Sequence, residues 1–310
     1  VRRLHETGAR YFDAHPRLAA WLERLQRQDR AYLAHEYFNR DWHPATSDEV
    51  AQAMAGAGLE FAASTDLAEE AEATGFGSAA RDFIESIAQP DLREAVLDLV
   101  AHRSFRSDIF VRNGHPHAAG TPYENLARWR FVLLQHPDHL PGSVQIGRTR
   151  YALPAEVYHP FAIAMAAQDY APKSLRDLAA HPECRHLSGA QLAQAALVLT
   201  DAGCLHPTQP PADRALAARR CAGLNALILK RAATATEITA LASPLLGAGV
   251  AVAREEMLFL RARMQGLQDH DEWACHAWES MGAGDPAVLG SAARAFASIR
   301  LPVLQAVGVA

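Results

Sequence analysis

Cysteine is scarce in this sequence, and the four present (Cys184, Cys204, Cys221 and Cys275) are scattered with no Cys-x-x-Cys pair. That spacing argues against a zinc knuckle and a disulfide framework, and it fits a reduced, cytoplasmic chain. Long hydrophobic runs are missing too. None approaches the roughly 18 residues of a membrane span, and no basic segment leads into an apolar one as in a secretory signal, so no membrane partner is expected. Positive charge is not in excess: 30 Lys and Arg face 35 Asp and Glu, a net charge of -5. Bulk nucleic-acid binding depends on basic surface, so no nucleic-acid partner is expected either. An initiator Met is also lacking. The chain begins Val1-Arg2-Arg3-Leu4 and runs straight into a helical pattern, which reads as a piece of a longer protein.

The common catalytic signatures are absent as well. Gly75-Phe-Gly77 and Gly282-Ala-Gly284 follow no apolar strand, and Gly247-Ala-Gly249 follows only Pro244-Leu-Leu, without an acidic partner. A class I methyltransferase loop needs both, so all three read as turns and no cofactor is expected on this chain. His35-Glu36 lacks the second His of a zinc protease, because position 39 is Asn39. His136-Pro-Asp-His139 is broken by its proline, and Asp269-His-Asp271 reads as a solvated helix entry, which leaves no metal site. There is no Gly-x-Ser-x-Gly elbow and no phosphate-binding loop. No catalytic residue is assigned.

What is present is apolar material in quantity: 310 residues, 49% of them hydrophobic, enough for two domains or one large one. Alanine-rich amphipathic helices dominate. From Pro16 to Tyr37, Leu18, Trp21, Leu22, Leu25 and Leu33 recur at helical spacing. Thr46 to Glu49 is a capping box that opens a helix ending at Gly56 or Gly58, before a short strand from Leu59. Ser78 to Ala88 is helical up to Pro90, and a second helix from Asp91 carries Leu92, Val96, Leu99 and Val100 as its stripe. Phe105, Ser107, Ile109 and Val111 alternate with Arg106, Asp108 and Arg112, the pattern of a half-buried strand apart from Phe110. Thr121 with Pro122 caps a further helix. Phe131 to Leu134 and Val144 to Ile146 read as strands.

Residues 151–210 follow another pattern. Helices from Pro154 to Gln168 and Ser174 to Ala180 precede a longer one capped by Ser188 and Gln191, with a strand-like exit at Cys204. This order suggests a winged helix-turn-helix. Its recognition helix offers Gln191 and Gln194 but no Lys or Arg, so a DNA-binding regulator is poorly supported. After the Pro207–Pro211 linker the rest reads as helical. Seven histidines (15, 43, 115, 136, 159, 181 and 206) directly precede proline, which places them in loops or helix entries. The fold class expected is α+β, mostly helical: a mixed α/β domain, then a winged-helix-like segment and an all-α C-terminal region.

The most distinctive stretch is Tyr32-Leu-Ala-His-Glu-Tyr37, followed by Trp42. On a helix Tyr32, His35 and Glu36 share a face. The cluster reads either as a ligand-contacting surface or as a buried, mutually hydrogen-bonded network.

Tyr32, Leu33, His35, Glu36 and Tyr37, then Leu59 and Phe61, then Arg103, Phe105 and Arg106 resemble, in order, three blocks of the methyltransferase regulatory domain family. Phe38 stands where Leu is more usual. The resemblance covers about the first third of the chain, and the segments around Leu224 to Ala232 and Leu241 to Gly266 also look like the C-terminal region of such proteins. It implies the regulatory or substrate-recognition portion of a bacterial methyltransferase similar to protein lysine methyltransferases. It further implies a missing N-terminal Rossmann-like domain that binds S-adenosylmethionine, a protein substrate and a homodimer. The expected division is a helical linker over 1–30, the regulatory domain over 31–150, the winged-helix-like segment over 151–210 and a helical region over 211–310. Tyr32, His35, Glu36, Tyr37, Trp42, Arg103, Phe105 and Arg106 are the candidates for substrate or interdomain contact. A winged-helix DNA-binding regulator and a purely structural or dimerisation module are the alternatives.

Overall fold

In the computed structural model, side-chain caps at Asp29, Thr46, Ser174, Ser188, Asp269 and Asp285 open six of the described α-helices. The structure describes residues 2–65, 77–101, 103, 105–113, 122–146, 149–282 and 285–310, so Gly75, Gly284, His115 and the Thr121 cap lie outside the described residues. The chain divides into two compact units, Val1–Ala57 and Gly58–Ala310.

The first unit holds α1 (Arg2–Glu6), α2 (Arg10–Ala14), α3 (Pro16–Gln26), α4 (Arg30–Tyr37) and α5 (Ser47–Gly56). The helical spacing expected from Pro16 to Tyr37 is therefore split. Asp29 accepts from the backbone N–H groups of Ala31 (2.8 Å) and Tyr32 (3.0 Å) and so restarts the helix as α4. The capping box of α5 forms as expected: Thr46 N–H donates to Glu49 at 2.7 Å, and Glu49 N–H donates to Thr46 Oγ1 at 3.3 Å. Those bonds from the Thr46 backbone and hydroxyl hold the Glu49 carboxyl below its usual range. Phe12 is buried, whereas Leu18, Trp21, Leu22 and Leu25 are only half-buried.

The second unit opens with β1 (Glu60–Ser64), α6 (Ser78–Ser86), α7 (Pro90–Ala101) and β2 (Asp108–Val111). β1 and β2 pair antiparallel, with an irregularity between Phe61 and Ala63. Next come α8 (Pro122–Leu126), β3 (Arg130–Leu133), the hairpin β4 (Ser143–Ile146) and β5 (Thr149–Ala152), α9 (Ala155–Tyr170), β6 (Lys173–Ser174), α10 (Leu175–Ala180), α11 (Gly189–Asp201) and β7 (Leu205–Pro207). β3 is the centre of an antiparallel sheet ordered β6-β3-β7, which ties residues 130–133 to strands beyond the boundary expected at 150. The chain ends with α12 (Pro211–Arg231), β8 (Ala240–Ser243), β9 (Ala248–Ala251), α13 (Arg254–Met264), α14 (His270–Met281), α15 (Pro286–Ala295) and α16 (Leu301–Ala306).

The mostly helical α+β class holds, but the C-terminal region is not all-α. β8 and β9 form a hairpin whose turn closes at Gly247, φ +67°, a conformation glycine adopts without a Cβ clash. A five-residue π-helical stretch, Phe296–Arg300, joins α15 to α16. The run Pro286–Ala306 is long and apolar enough to cross a membrane, contrary to the reading that no such run exists. In this structure it buries Leu289, Ala293, Phe296, Leu301, Val303 and Leu304.

The hydrophobic core sits in residues 127–309, around Leu133, Phe161, Met165, Leu175, Leu199, Leu241, Met257 and Phe259. Two polar side chains make its helix breaks possible. Pro160 lies inside α9 and has no N–H for the Glu156 carbonyl; His186 Nε2 takes that carbonyl at 3.2 Å. α9 then breaks through Gln168, Asp169 and Tyr170, all at positive φ, a strained run for residues with a Cβ. The buried Lys173 ammonium spans the break, donating to the carbonyls of Met165 (3.3 Å), Ala167 and Ala171 (3.0 Å). Of the histidines before proline, His136 and His181 cap short 3-10 turns through Nδ1.

Replacing Lys173 with Met keeps the stem and removes the donors. Each hydrogen bond to a charged group contributes about 1.5–3 kcal/mol, so Lys173→Met should lower unfolding free energy by about 3 kcal/mol in a denaturant titration. A loss below about 0.5 kcal/mol would show the carbonyls to be satisfied otherwise.

Candidate functional site

Of the candidate residues, Arg106 has the most developed surroundings. It leaves the loop before β2 and reaches α7, where Glu94 and Asp98 stand one turn apart. Its Nη2 lies 3.0 Å from Glu94, Nη1 3.0 Å from Asp98, and Nε 3.0 Å from Asp108 on β2. The Phe61 ring on β1 lies 5.4 Å from its guanidinium carbon and edges onto Phe110 at 5.9 Å, so an aromatic face covers the cation. Arg103 pairs with Asp98 at 3.4 Å. Burial by itself would lower the Arg106 pKa, but Asp98 first, then Glu94 and Asp108, hold it well above its ordinary value. The guanidinium side chain is only 12% exposed.

This network reverses the expected strand face. Arg106, Asp108 and Phe110 are the covered residues, while Phe105 and Ile109 are exposed, Phe105 at 89%. Most of the α7 stripe turns outward as well: Leu92, Leu99 and Val100 are exposed and Val96 is half-buried, because the helix gives the side with Glu94 and Asp98 to Arg106. The available signal was charge spacing. Glu94 and Asp98 are four apart, Arg106 and Asp108 two apart, and an alternating strand puts the second pair on one face.

The other candidates lie in the first unit. Tyr32, His35, Glu36 and Tyr37 stand on α4 and Trp42 lies beyond it, all exposed. Tyr37 meets the Trp21 ring edge-on at 5.9 Å, and the Asn39 amide donates to the His35 carbonyl. Tyr32, His35 and Glu36 make no hydrogen bond to one another, so the buried-network reading does not hold. Nearby, Tyr11, His15, Arg17, Trp21 and Arg24 line an open groove of about 530 Å³ that the sequence reading missed.

The described residues do not build a class I S-adenosylmethionine site. Every strand pair among the described residues is antiparallel, and such a site needs a parallel sheet with a glycine turn opening a helix at its switch point. Gly77 precedes α6 and Gly282 caps α14. Among the described residues no three His, Cys, Asp or Glu side chains gather as metal donors. His136 serves as a turn cap, Asp269 caps α14, and Asp271 pairs with Arg294 at 2.8 Å. α11, the expected recognition helix, buries Leu192, Ala193, Ala195, Ala196, Val198 and Leu199 and leaves Ala190, Gln191, Gln194 and Asp201 exposed.

Arg106→Gln should cost the β1–β2 hairpin and α7 about 2 kcal/mol, since it leaves carboxylates facing each other without their cation. Hydrogen exchange should show lost amide protection in 60–64 and 108–111 and unchanged protection in the core strands 130–133. Phe105→Ser, at an exposed position, should change stability by less than about 0.5 kcal/mol. Comparable losses from the two variants would contradict the reversed face.

Three similarities bear on this geometry. Residues 29–112 match the family described as "predicted methyltransferase regulatory domain", a span that contains both α4 and the Arg106 network. Over 282 residues the chain is 30% identical to the uncharacterized protein sll1526 of Synechocystis sp. (strain ATCC 27184 / PCC 6803 / Kazusa), covering 91% of this chain and 55% of that protein. The chain thus spans about half the length of the curated relative it matches. Its fold is similar to PKMT2 from Rickettsia typhi, with a TM-score of 0.54 and 14% identity over 96% of this chain and 62% of that one. For PKMT2 in complex with AdoHcy the TM-score is 0.56, over 63% of that chain. The likeness to a predicted methyltransferase regulatory domain therefore rests on residues 29–112.

Proposed function

We propose that this chain is the regulatory and substrate-recognition portion of an S-adenosylmethionine-dependent methyltransferase that acts on a protein. The domain that binds the methyl donor and transfers the group is a part of the polypeptide other than these 310 residues. The observation that carries the reading is the fold likeness over 96% of the chain to a protein whose structure is in complex with AdoHcy, of which it accounts for only 63%. The antiparallel strand pairing supports it, since these residues do not build a donor site of the class I kind.

The donor supplies an electrophilic methyl group. What this chain contributes is orientation, which makes attack effectively intramolecular. Tyr32, His35, Glu36, Tyr37, Trp42 and Phe105, being exposed, are the contact residues. Arg103 and Arg106 act through the hairpin and α7, whose placement they hold. The cysteines are all free thiols, which supports a reducing cytoplasm.

Equilibrium titration of the 310-residue chain with S-adenosylmethionine should show no binding, and incubation with the radiolabelled donor should show no transfer. The longer polypeptide read from the gene should do both. His35→Ala with Glu36→Ala should leave stability within about 0.5 kcal/mol yet lower transfer to a protein substrate in the longer polypeptide. Tight donor binding by the 310 residues alone would overturn the assignment. A large stability loss without loss of transfer would favour the purely structural reading.

A further inference from the structure

A second cleft lies where the turn between α8 and β3 meets the connection from β7 to α12, and none of the candidate contact residues lines it. Its volume is about 680 Å³, within the range of sites that enclose a small ligand or a short peptide segment. Trp129 lines it and is 55% exposed, although Trp273 in the same unit is 4% exposed. The Trp129 backbone is fixed, because its N–H donates to the Leu126 carbonyl at 3.0 Å and β3 begins at the next residue. Pro210 and Pro211 form the facing wall, which is apolar and offers no backbone N–H.

The polar groups of this cleft are mostly donors. Arg128 makes no ion pair or hydrogen bond among the described residues, and the Trp129 indole N–H has no acceptor among them. Arg130 is oriented from behind, its Nη1 donating to Pro172 at 2.7 Å and lying 3.4 Å from Asp177, with Nε and Nη2 left over. The Thr208 hydroxyl donates to the Arg130 carbonyl at 3.2 Å, which leaves its oxygen as an acceptor. One carboxylate, Asp213, stands on the lining. Trp and Arg together are the residues that most often dominate a protein interface when set in a pocket.

We propose that this cleft binds an acidic protein segment carrying an aromatic side chain, its carboxylates on Arg128 and Arg130 and its ring between the indole and the proline wall. A guanidinium prefers a planar carboxylate, and a flat side chain stacks on an indole at small entropy cost. A polyphosphate strand fits less well, since Asp213 lies on the lining and the chain's net charge is -5. The site stands independently of methyl transfer.

The test is fluorescence anisotropy with labelled poly(Glu,Tyr) titrated by the whole chain, with unlabelled poly(U) as competitor. Binding should saturate and weaken as salt rises. Arg128→Glu and Trp129→Ala, both at exposed positions, should each weaken it at least about tenfold with an unchanged thermal unfolding curve. Arg219→Glu, on an exposed face of α12, should leave it unchanged. Absence of saturable binding, equal binding by the variants, or displacement by poly(U) at equal mass would overturn the proposal.

Discussion

The placement of one guanidinium decides how the family-matched part of this chain is built. Glu94, Asp98 and Asp108 converge on Arg106, and three carboxylates this close would repel one another without it. Taking the cation partly out of water has a cost, offset here by hydrogen bonds to all three acids and by the Phe61 ring. Because Arg106 must face α7, β2 must turn Phe105 and Ile109 the other way, and α7 must turn Leu92 and Leu99 outward. Among described residues before 122, Phe12 and Ala101 are the buried apolar ones. Charge, far more than apolar burial, orders this region.

Residues 122–310 are ordered by different means. Apolar packing dominates, and the few polar side chains inside it bind backbone groups that irregular segments leave open. Arg254 caps the end of α12 through Ala232 and Ala233 at 2.9 and 3.0 Å. Asn225 exchanges two hydrogen bonds with Ala242, which fixes the β8–β9 hairpin on α12. Arg300 reaches Leu134 and Ala251, each at 2.7 Å, and so joins the π-helical turn to two strand ends.

How much of this was legible in the sequence follows the range of the interaction involved. The caps at Thr46 and Ser188 are local, within three residues, and were readable as written. The β8–β9 hairpin was not, because Ala240 to Ser243 and Ala248 to Ala251 carry few β-branched residues and are held by Asn225 from another element. The face of β2 was misread because apolar alternation outweighed the charge spacing, and only contact with α7 decides between the two. Arg103 and Arg106 were found, yet as contact residues, whereas the fold uses them to hold the hairpin. The Trp129 cleft left no motif, since its two walls are about eighty residues apart in the chain.

The most direct test of this account is a double-mutant cycle on Arg106→Gln and Asp98→Asn, measured by denaturant unfolding of the hairpin region. If the charge network sets the face of β2, the two changes are coupled by about 1 kcal/mol or more, the double variant losing less than the sum of the singles. If instead the effects add within about 0.3 kcal/mol, the pair does not interact, and the reversed strand must owe its orientation to something other than Arg106.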